Sequence, residues 1–414
     1  MKYFNVTVLS KGKKRIEFAE AETKMAAIKL VKKKYPGQIV QKAVETSAPT
    51  GSSLDSLTKN FKKSFEKKID LNSKISSIRQ IAVMTDAGIS IHDAIREVGV
   101  NIENPKLKEI YLKIGNDINA GKSIADSIDP FTEEFGHVTI AMTKLGEQTG
   151  NISGSYAKLA DILEDIRDNL KKFKKAIRTP LITLGAMAIA FTIMIMVVVP
   201  KFKEIFDKFH SALPIPTQIL LFLENILNNY GLYVLAGLIG LTYALLHYYK
   251  NDKKFKYKID KLLVHPKFYL IHKVIFFSTM HKYTLVFSEL VKSGIPVSEA
   301  LETAVGMVDN SYIKDKLLTV NANISRGISL SDAFEQTELF ENMLLQMIRA
   351  GEQGGQLDAM LDKVTEYYDA RFQDLIDNLA TYIEPIMMFF IAGLVLLMAL
   401  GIFMPMWDLG KAVK

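Results

Sequence analysis

The chain has 414 residues, 23% of them charged and 49% hydrophobic, with a net charge of +7 at pH 7 and no cysteine. Its length exceeds one ordinary domain, and this balance excludes both a disordered chain and one wholly embedded in lipid. Without cysteine there are no disulfides, thiolate metal sites or cysteine nucleophiles, and the basic excess leaves nucleic acid, an anionic membrane surface or an acidic partner to be separated by where the lysines lie.

The first residues, Met1 to Val6, have no apolar run behind them. That argues against a cleavable signal peptide and for a chain that stays cytoplasmic up to its first span. Residues 1–45 read as a small α/β domain of ββαβ order. Tyr3 to Leu9 is β-rich with imperfect alternation, residues 10–13 form a turn, and Arg15 to Phe18 supplies a partner strand. Helical spacing follows from Glu22 to Tyr35, Pro36-Gly37 ends it, and residues 38–44 read as a third strand. Residues 46–70 are a linker and a basic amphipathic segment with Leu57, Phe61, Phe65 and Ile69 four apart. That pattern suits a first bundle helix with a solvated lysine face, or a contact with the membrane surface.

Two stretches, 71–176 and 275–382, are helical by their three- and four-residue apolar spacing, and they are copies of one another. Gly88-Ile89-Ser90-Ile91-His92-Asp93-Ala94 returns as Gly294-Ile295-Pro296-Val297-Ser298-Glu299-Ala300, and Gly121-Lys122-Ser123 as Gly327-Ile328-Ser329, both 206 positions on. Gly146-Glu147-Gln148-Thr149-Gly150 returns as Gly351-Glu352-Gln353-Gly354-Gly355, 205 positions on. At the 121 and 327 breaks, glycine ends one helix and serine caps the next, with Asp126 or Asp332 completing a box-like cap.

Each copy runs into an apolar segment long enough to cross a bilayer. Spans are expected at 179–200, 230–249 and 383–407, with an outer loop at 201–229, a basic inner connector at 250–274 and an outer tail at 408–414. Arg167, Lys171, Lys172, Lys174, Lys175 and Arg178 precede the first span, and eight lysines follow the second between 250 and 273. By the positive-inside rule both flanks are cytoplasmic, so the N-terminus lies inside and the C-terminus outside. Anionic lipid headgroups account for the basic excess, and nucleic acid is not needed as a partner. Pro180 and Pro200 bracket the first span as Pro385 and Pro405 bracket the third, each mapping to its equivalent at 205. The second span returns the chain between two parallel copies.

No catalytic, cofactor or metal site emerges. Gly121-Lys122-Ser123 fails as a phosphate loop: position 116 is Asn116, a helix precedes it, and the other copy has Ile328 in place of Lys122. The seven histidines make no HExxH and no pair. The sharpest local signal is Gly-Glu-Gln-x-Gly. It reads either as a helix–helix turn whose glutamate is satisfied locally, or as a duplicated partner-binding tip made of Gly146, Glu147, Gln148, Gly150, Gly351, Glu352, Gln353 and Gly355. No acidic residue, lysine or arginine sits inside a span except Glu384 at the inner edge of the third. A transporter or channel subunit, the alternative function, usually keeps one at mid-membrane.

Taken together, the N-terminal domain, the duplicated Gly-Glu-x-x-Gly turns, the basic stretch into Thr179-Pro180 and the second copy closing on Glu384-Pro385 resemble the GspF/PilC family. Its members are polytopic inner-membrane platforms of type II secretion and type IV pilus machines. The resemblance covers essentially the whole chain. It implies a mainly all-α membrane protein with six-helix cytoplasmic bundles, no enzymatic activity and no cofactor. It also implies that a cytoplasmic assembly ATPase drives the platform to lift pilin or pseudopilin subunits from the bilayer. Other inner-membrane components, membrane lipids and further copies of itself are the remaining expected partners. The second copy departs from the first in having Ile383-Glu384 before proline where the first has Arg178-Thr179, which points to different partners for the two copies.

Overall fold

The computed structural model describes residues 2–10, 13–21, 23–34, 39–46, 69–201, 204 and 215–412. The basic amphipathic segment before Ile69 and most of the 201–214 stretch lie outside the described residues. The chain divides into two compact units, Met1–Lys68 and Ile69–Lys414.

In the first unit, β1 (Lys2–Ser10) is the centre of a sheet of order β2-β1-β3. It is antiparallel to both β2 (Lys13–Ala21) and β3 (Ile39–Thr46). Phe4 and Val6 share one face of β1 and are buried with Ala27 and Val31 of α1 (Lys24–Lys34). The pairing with β3 shifts register between Thr7 and Val8, the physical counterpart of the imperfect alternation.

The second unit is helical. The first copy supplies α2 (Leu71–Asp86), α3 (Ile91–Asn101), α4 (Pro105–Asn119), α5 (Ile124–Ile128), the single turn α6 (Thr132–Phe135), α7 (His137–Thr149) and α8 (Ile152–Ile193). Helices α9 (Ile215–Asn251) and α10 (Lys253–Leu263) lead to the second copy. That copy holds α11 (Tyr269–Lys292), α12 (Val297–Gly306), α13 (Ser311–Ile324), α14 (Leu330–Glu335), α15 (Asn342–Gly354) and α16 (Leu357–Asp377). Helix α17 (Leu379–Ala412) closes the chain.

The duplication is visible bond by bond. Asn104 caps the amides of Lys106 and Leu107, and Asn310, 206 positions on, caps those of Tyr312 and Ile313. Ser123 accepts from the Asp126 amide at 3.0 Å and Ser329 from that of Asp332 at 3.1 Å. Ahead of each serine, Gly121 and Gly327 have φ of +90° and +84°, which only glycine adopts cheaply. The next amides, of Lys122 and Ile328, reach back to the carbonyls of Asp117 and Asn323 at 3.1 Å, closing both helices in the same Schellman turn. Lys122 also pairs with Asp117 at 3.3 Å, so Gly-Lys-Ser here is a helix stop. The slip from 206 to 205 falls between α5 and α7. The first copy fills that gap with α6 and Gly136, the second with a turn through Glu338 at φ 56°.

The two copies share one hydrophobic core, running from Ile75 to Tyr368. Ile78, Ile81, Ile95, Leu107, Ile114 and Leu159 are fully buried in the first copy, each contributing roughly 1.5–3 kcal/mol. The second copy is built on aromatics: Phe334 lies 4.4 Å from Phe340 and edge-on to Tyr283 at 6.4 Å.

Among the described residues three helices are long and apolar enough to cross a membrane, and few residues of their apolar windows are buried. They differ from expectation in their ends. The first span is the upper part of α8, which begins deep in the bundle at Ile152. Pro180 therefore lies inside a helix, as Pro385 and Pro405 lie inside α17. Near Pro200 the ladder adapts. Pro200 has no N–H for the Met196 carbonyl, and Met194–Val198 form a π turn in which the Val199 amide bonds to Met194. The expected 201–229 loop is helical from Ile215 onward, with Pro216 in its first turn. The expected 408–414 tail is helical to Ala412, and the basic connector contains α10. Thr217 donates to the Gly401 carbonyl at 2.9 Å, joining the start of α9 to the far end of α17.

Candidate functional site

The duplicated Gly-Glu-Gln-x-Gly segments end α7 and α15. Gly146 and Gly351 are buried because the following helix crosses directly over them. A Cβ at Gly146 would meet the Ile152 Cα at 3.1 Å, and one at Gly351 would meet the Met360 Cβ at 2.8 Å. Gly150 and Gly355 follow at φ +69°, the left-handed position that reverses the chain into the next helix.

Each glutamate turns inward. The Glu147 carboxylate accepts from the Ile124 amide at 2.5 Å and the Ala125 amide at 3.1 Å. The Glu352 carboxylate accepts from the Leu330 amide at 2.7 Å, the Ser331 amide at 3.2 Å and the Ser331 hydroxyl at 3.0 Å. These are otherwise free N–H groups at the N-termini of the short helices α5 and α14, where a negative charge is also favoured by the helix dipole. The turn thus ties α5 to α7 in the first copy and α14 to α15 in the second. The glutamate is held locally in both turns, while Gln148, Thr149 and Gly150 in the first copy and Glu352 to Gly355 in the second are exposed at the tip.

The polar bundle is joined to the membrane helices by features that no short motif announces. Asp260 of α10 is buried: its carboxylate accepts from the Ser311 amide at 2.7 Å, from the Ser311 hydroxyl and from the Tyr249 hydroxyl at 2.7 Å. One side chain therefore connects the foot of the second span to the start of α13. Pairing Asp260 with residues 11 and 51 positions away required the fold; the sequence signal was only an acid in a run of lysines. At the third span, α16 passes into α17 across Asn378, whose side chain bonds back to Asp374 at 2.9 Å. Pro180 is buried where α8 leaves the bundle. Glu384 and Pro385 lie in the first turns of α17, and Pro200 follows the π turn.

Two of the places where the copies meet stand out. Near α7 and α12, the His137 ring occupies the space that a side chain at Gly306 would need, 2.7 Å from its Cβ position, and Lys144 pairs with Glu299 at 3.4 Å. The second meeting place lies between α8, α11 and α16, around His281. Among the described residues no group of three acidic or histidine side chains is placed to hold a metal ion.

Comparison with known proteins fits this duplicated architecture. The chain is 28% identical over 337 residues to the type IV pilus assembly protein PilC of Pseudomonas aeruginosa, covering 81% of this chain and 89% of that one. It is 26% identical to the PilC of Myxococcus xanthus, covering 81% and 80%. It is 25% identical to the type II secretion system protein F of Vibrio cholerae, covering 81% and 82%. The sequence model for type II secretion system protein F matches twice, at residues 77–200 and 283–405, with the same offsets of 206 and 205 at its two ends. More than half of the chain lies within those two matches, and the chain belongs to the type II secretion system protein F family.

Proposed function

We propose that this chain is the inner-membrane platform of a type II secretion or type IV pilus assembly machine. In this reading it couples a cytoplasmic assembly ATPase to the extraction and polymerisation of pilin-like subunits. The N-terminus and both copies lie in the cytoplasm, each copy a six-helix bundle, and the C-terminus lies outside. The exposed Gln148 and Gln353 tips face partners, while their glutamates keep the turns in shape.

The observation that carries the reading is α8. It runs unbroken for 42 residues from the bundle into its span, about 60 Å at 1.5 Å per residue. A displacement applied to the bundle is then delivered to the membrane without a hinge. Asp260 and the α16–α17 passage give the other two spans similarly direct attachments. Such a body suits the transmission of force more than the binding of a solute.

Two measurements test this. The chain has no cysteine, so single cysteines report cleanly on topology. Ser211→Cys should react with a membrane-impermeant maleimide on intact spheroplasts, and Lys122→Cys only after permeabilisation. Deleting the gene should abolish filament assembly or secretion, and the wild-type gene should restore it. Reversed labelling, or normal assembly in the deletion strain, would overturn the proposal.

A further inference from the structure

At the second meeting place a lysine, two amides and a histidine form one hydrogen-bonded chain across the copies. Lys172 of α8 donates to the Gln373 Oε1 of α16 at 2.8 Å. Gln373 Nε2 donates to Asn169 Oδ1 of α8 at 2.7 Å and to Asp369 Oδ1 at 3.0 Å. Asn169 Nδ2 lies 2.9 Å from His281 Nε2 of α11.

The direction of this chain follows from its first member. An ammonium can only donate, so Gln373 must present its oxygen to Lys172 and its NH₂ to Asn169. Asn169 must then present its oxygen to Gln373 and its own NH₂ to His281. His281 Nε2 is therefore an acceptor, and the ring is neutral with its proton on Nδ1.

We propose that His281 is a proton-operated latch between the two copies, holding the anchor helix α8 against α11 and α16 when neutral and releasing it when protonated. A proton on Nε2 sets two donors face to face. Turning the Asn169 amide to relieve this sets its NH₂ against that of Gln373, and turning Gln373 in its turn sets NH₂ against the Lys172 ammonium. Swinging the imidazolium toward Asp369, whose Oδ1 is 3.7 Å away, also breaks the bond to Asn169. A cavity of about 300 Å³ bordered by Asn169, His281 and Phe372 gives these side chains room to move.

The charges around the ring come from every packed element. Asp165 and Lys172 lie on α8, Asp369 on α16, and Lys282 on α11 itself, paired with Asp309 at 2.6 Å. Burial, with the ring stacked on Phe372, pushes the imidazole below the usual histidine range, while Asp369 and Asp165 pull it back up less strongly. Burial likewise raises the Asp165 carboxyl, which the His281 charge would lower. For a depressed histidine the sign is fixed. The closed latch is fully favoured above the free-histidine value and is lost as pH falls through the depressed one.

Because the chain lacks cysteine, spin labels at Lys174→Cys and Ala370→Cys, both exposed, report the α8–α16 distance in the full chain reconstituted in nanodiscs. We expect one distance population at about pH 8 and a second, longer one at about pH 5. His281→Gln keeps an acceptor for Asn169 but cannot titrate, so its distribution should not change with pH. Lys172→Met removes the group that directs the chain and lets both amides turn to accept from the imidazolium, so its longer population at about pH 5 should be smaller than in wild type. An unchanged wild-type distribution, or a His281→Gln response equal to wild type, would overturn the latch.

Discussion

Replacing Glu352 with alanine tests whether the duplicated turn is a structural clamp. In the structure its carboxylate receives the Leu330 and Ser331 amides and the Ser331 hydroxyl. Leu330 and Ser331 are 4% and 1% exposed, so water cannot easily replace the lost acceptor. Each orphaned buried N–H costs about 1–3 kcal/mol. Glu352 itself sits at an exposed end of its helix, which places the total at the lower part of the range, about 2–4 kcal/mol. At about 2 °C per kcal/mol for a domain of this size, the midpoint of thermal unfolding should fall by about 4–8 °C. Glu352→Gln keeps one acceptor and should lose about half as much. The equivalent Glu147→Ala should behave alike, and the double variant should be close to additive because the two carboxylates share no partner. The assay is thermal unfolding of the purified full chain in detergent, followed by circular dichroism. A loss below about 0.5 kcal/mol in both single variants would refute the clamp and return the glutamates to the role of surface contacts.

Four further outcomes are expected. Tyr283 is fully buried and its hydroxyl has no partner among the described residues, so Tyr283→Phe should leave stability unchanged or raise it by about 1 kcal/mol; a clear loss in thermal unfolding would show a hidden partner. Gly351→Ala should destabilise by about 1–3 kcal/mol because its Cβ would press on Met360 and Leu357. Gly115→Ala in α4, with open space around the new methyl, should be neutral or stabilising by about 0.5–1 kcal/mol, and a similar loss in both variants would contradict the close-approach argument. In unfolding experiments between about pH 7 and pH 5, wild type should lose more stability than His281→Gln, since the buried ring must take up a proton that the unfolded chain accepts more readily.

Much of this organisation was legible in the residues, and the reasons are local. Glycine at +φ followed by serine is a helix stop and a helix start wherever it occurs, so the Gly121 and Gly327 breaks could be read and aligned without a structure. The three apolar windows were equally plain because lipid demands length and apolarity together. Their ends were not. Pro180 and Pro385 read as helix stops, but α8 and α17 run through them. The Asn225, Asn228 and Asn229 stretch looked like a loop, yet Asn228 bonds to Glu224 and Asn229 to Asn225 one turn back on a continuous helix. The role of Glu147 and Glu352 was half visible: local satisfaction was foreseeable, but the particular amides, 21 to 23 positions away, were not. His281 was invisible. Its partner Asn169 is 112 positions distant and the next amide is 204 beyond that, so no periodicity or motif connects them. The shared core of the two copies was hidden for the same reason, since their contacts join residues far apart in sequence.

The central claim, that this chain transmits the work of a motor to the membrane, is tested most directly by its effect on that motor. The full chain reconstituted in liposomes would be mixed with the assembly ATPase encoded by the same organism, and ATP turnover measured with and without it. The account predicts that turnover rises in the presence of the chain and that the rise is lost when the bundle is severed from its span by a flexible linker inserted before Pro180. Turnover indifferent to the chain, together with solute flux across the same liposomes, would contradict it.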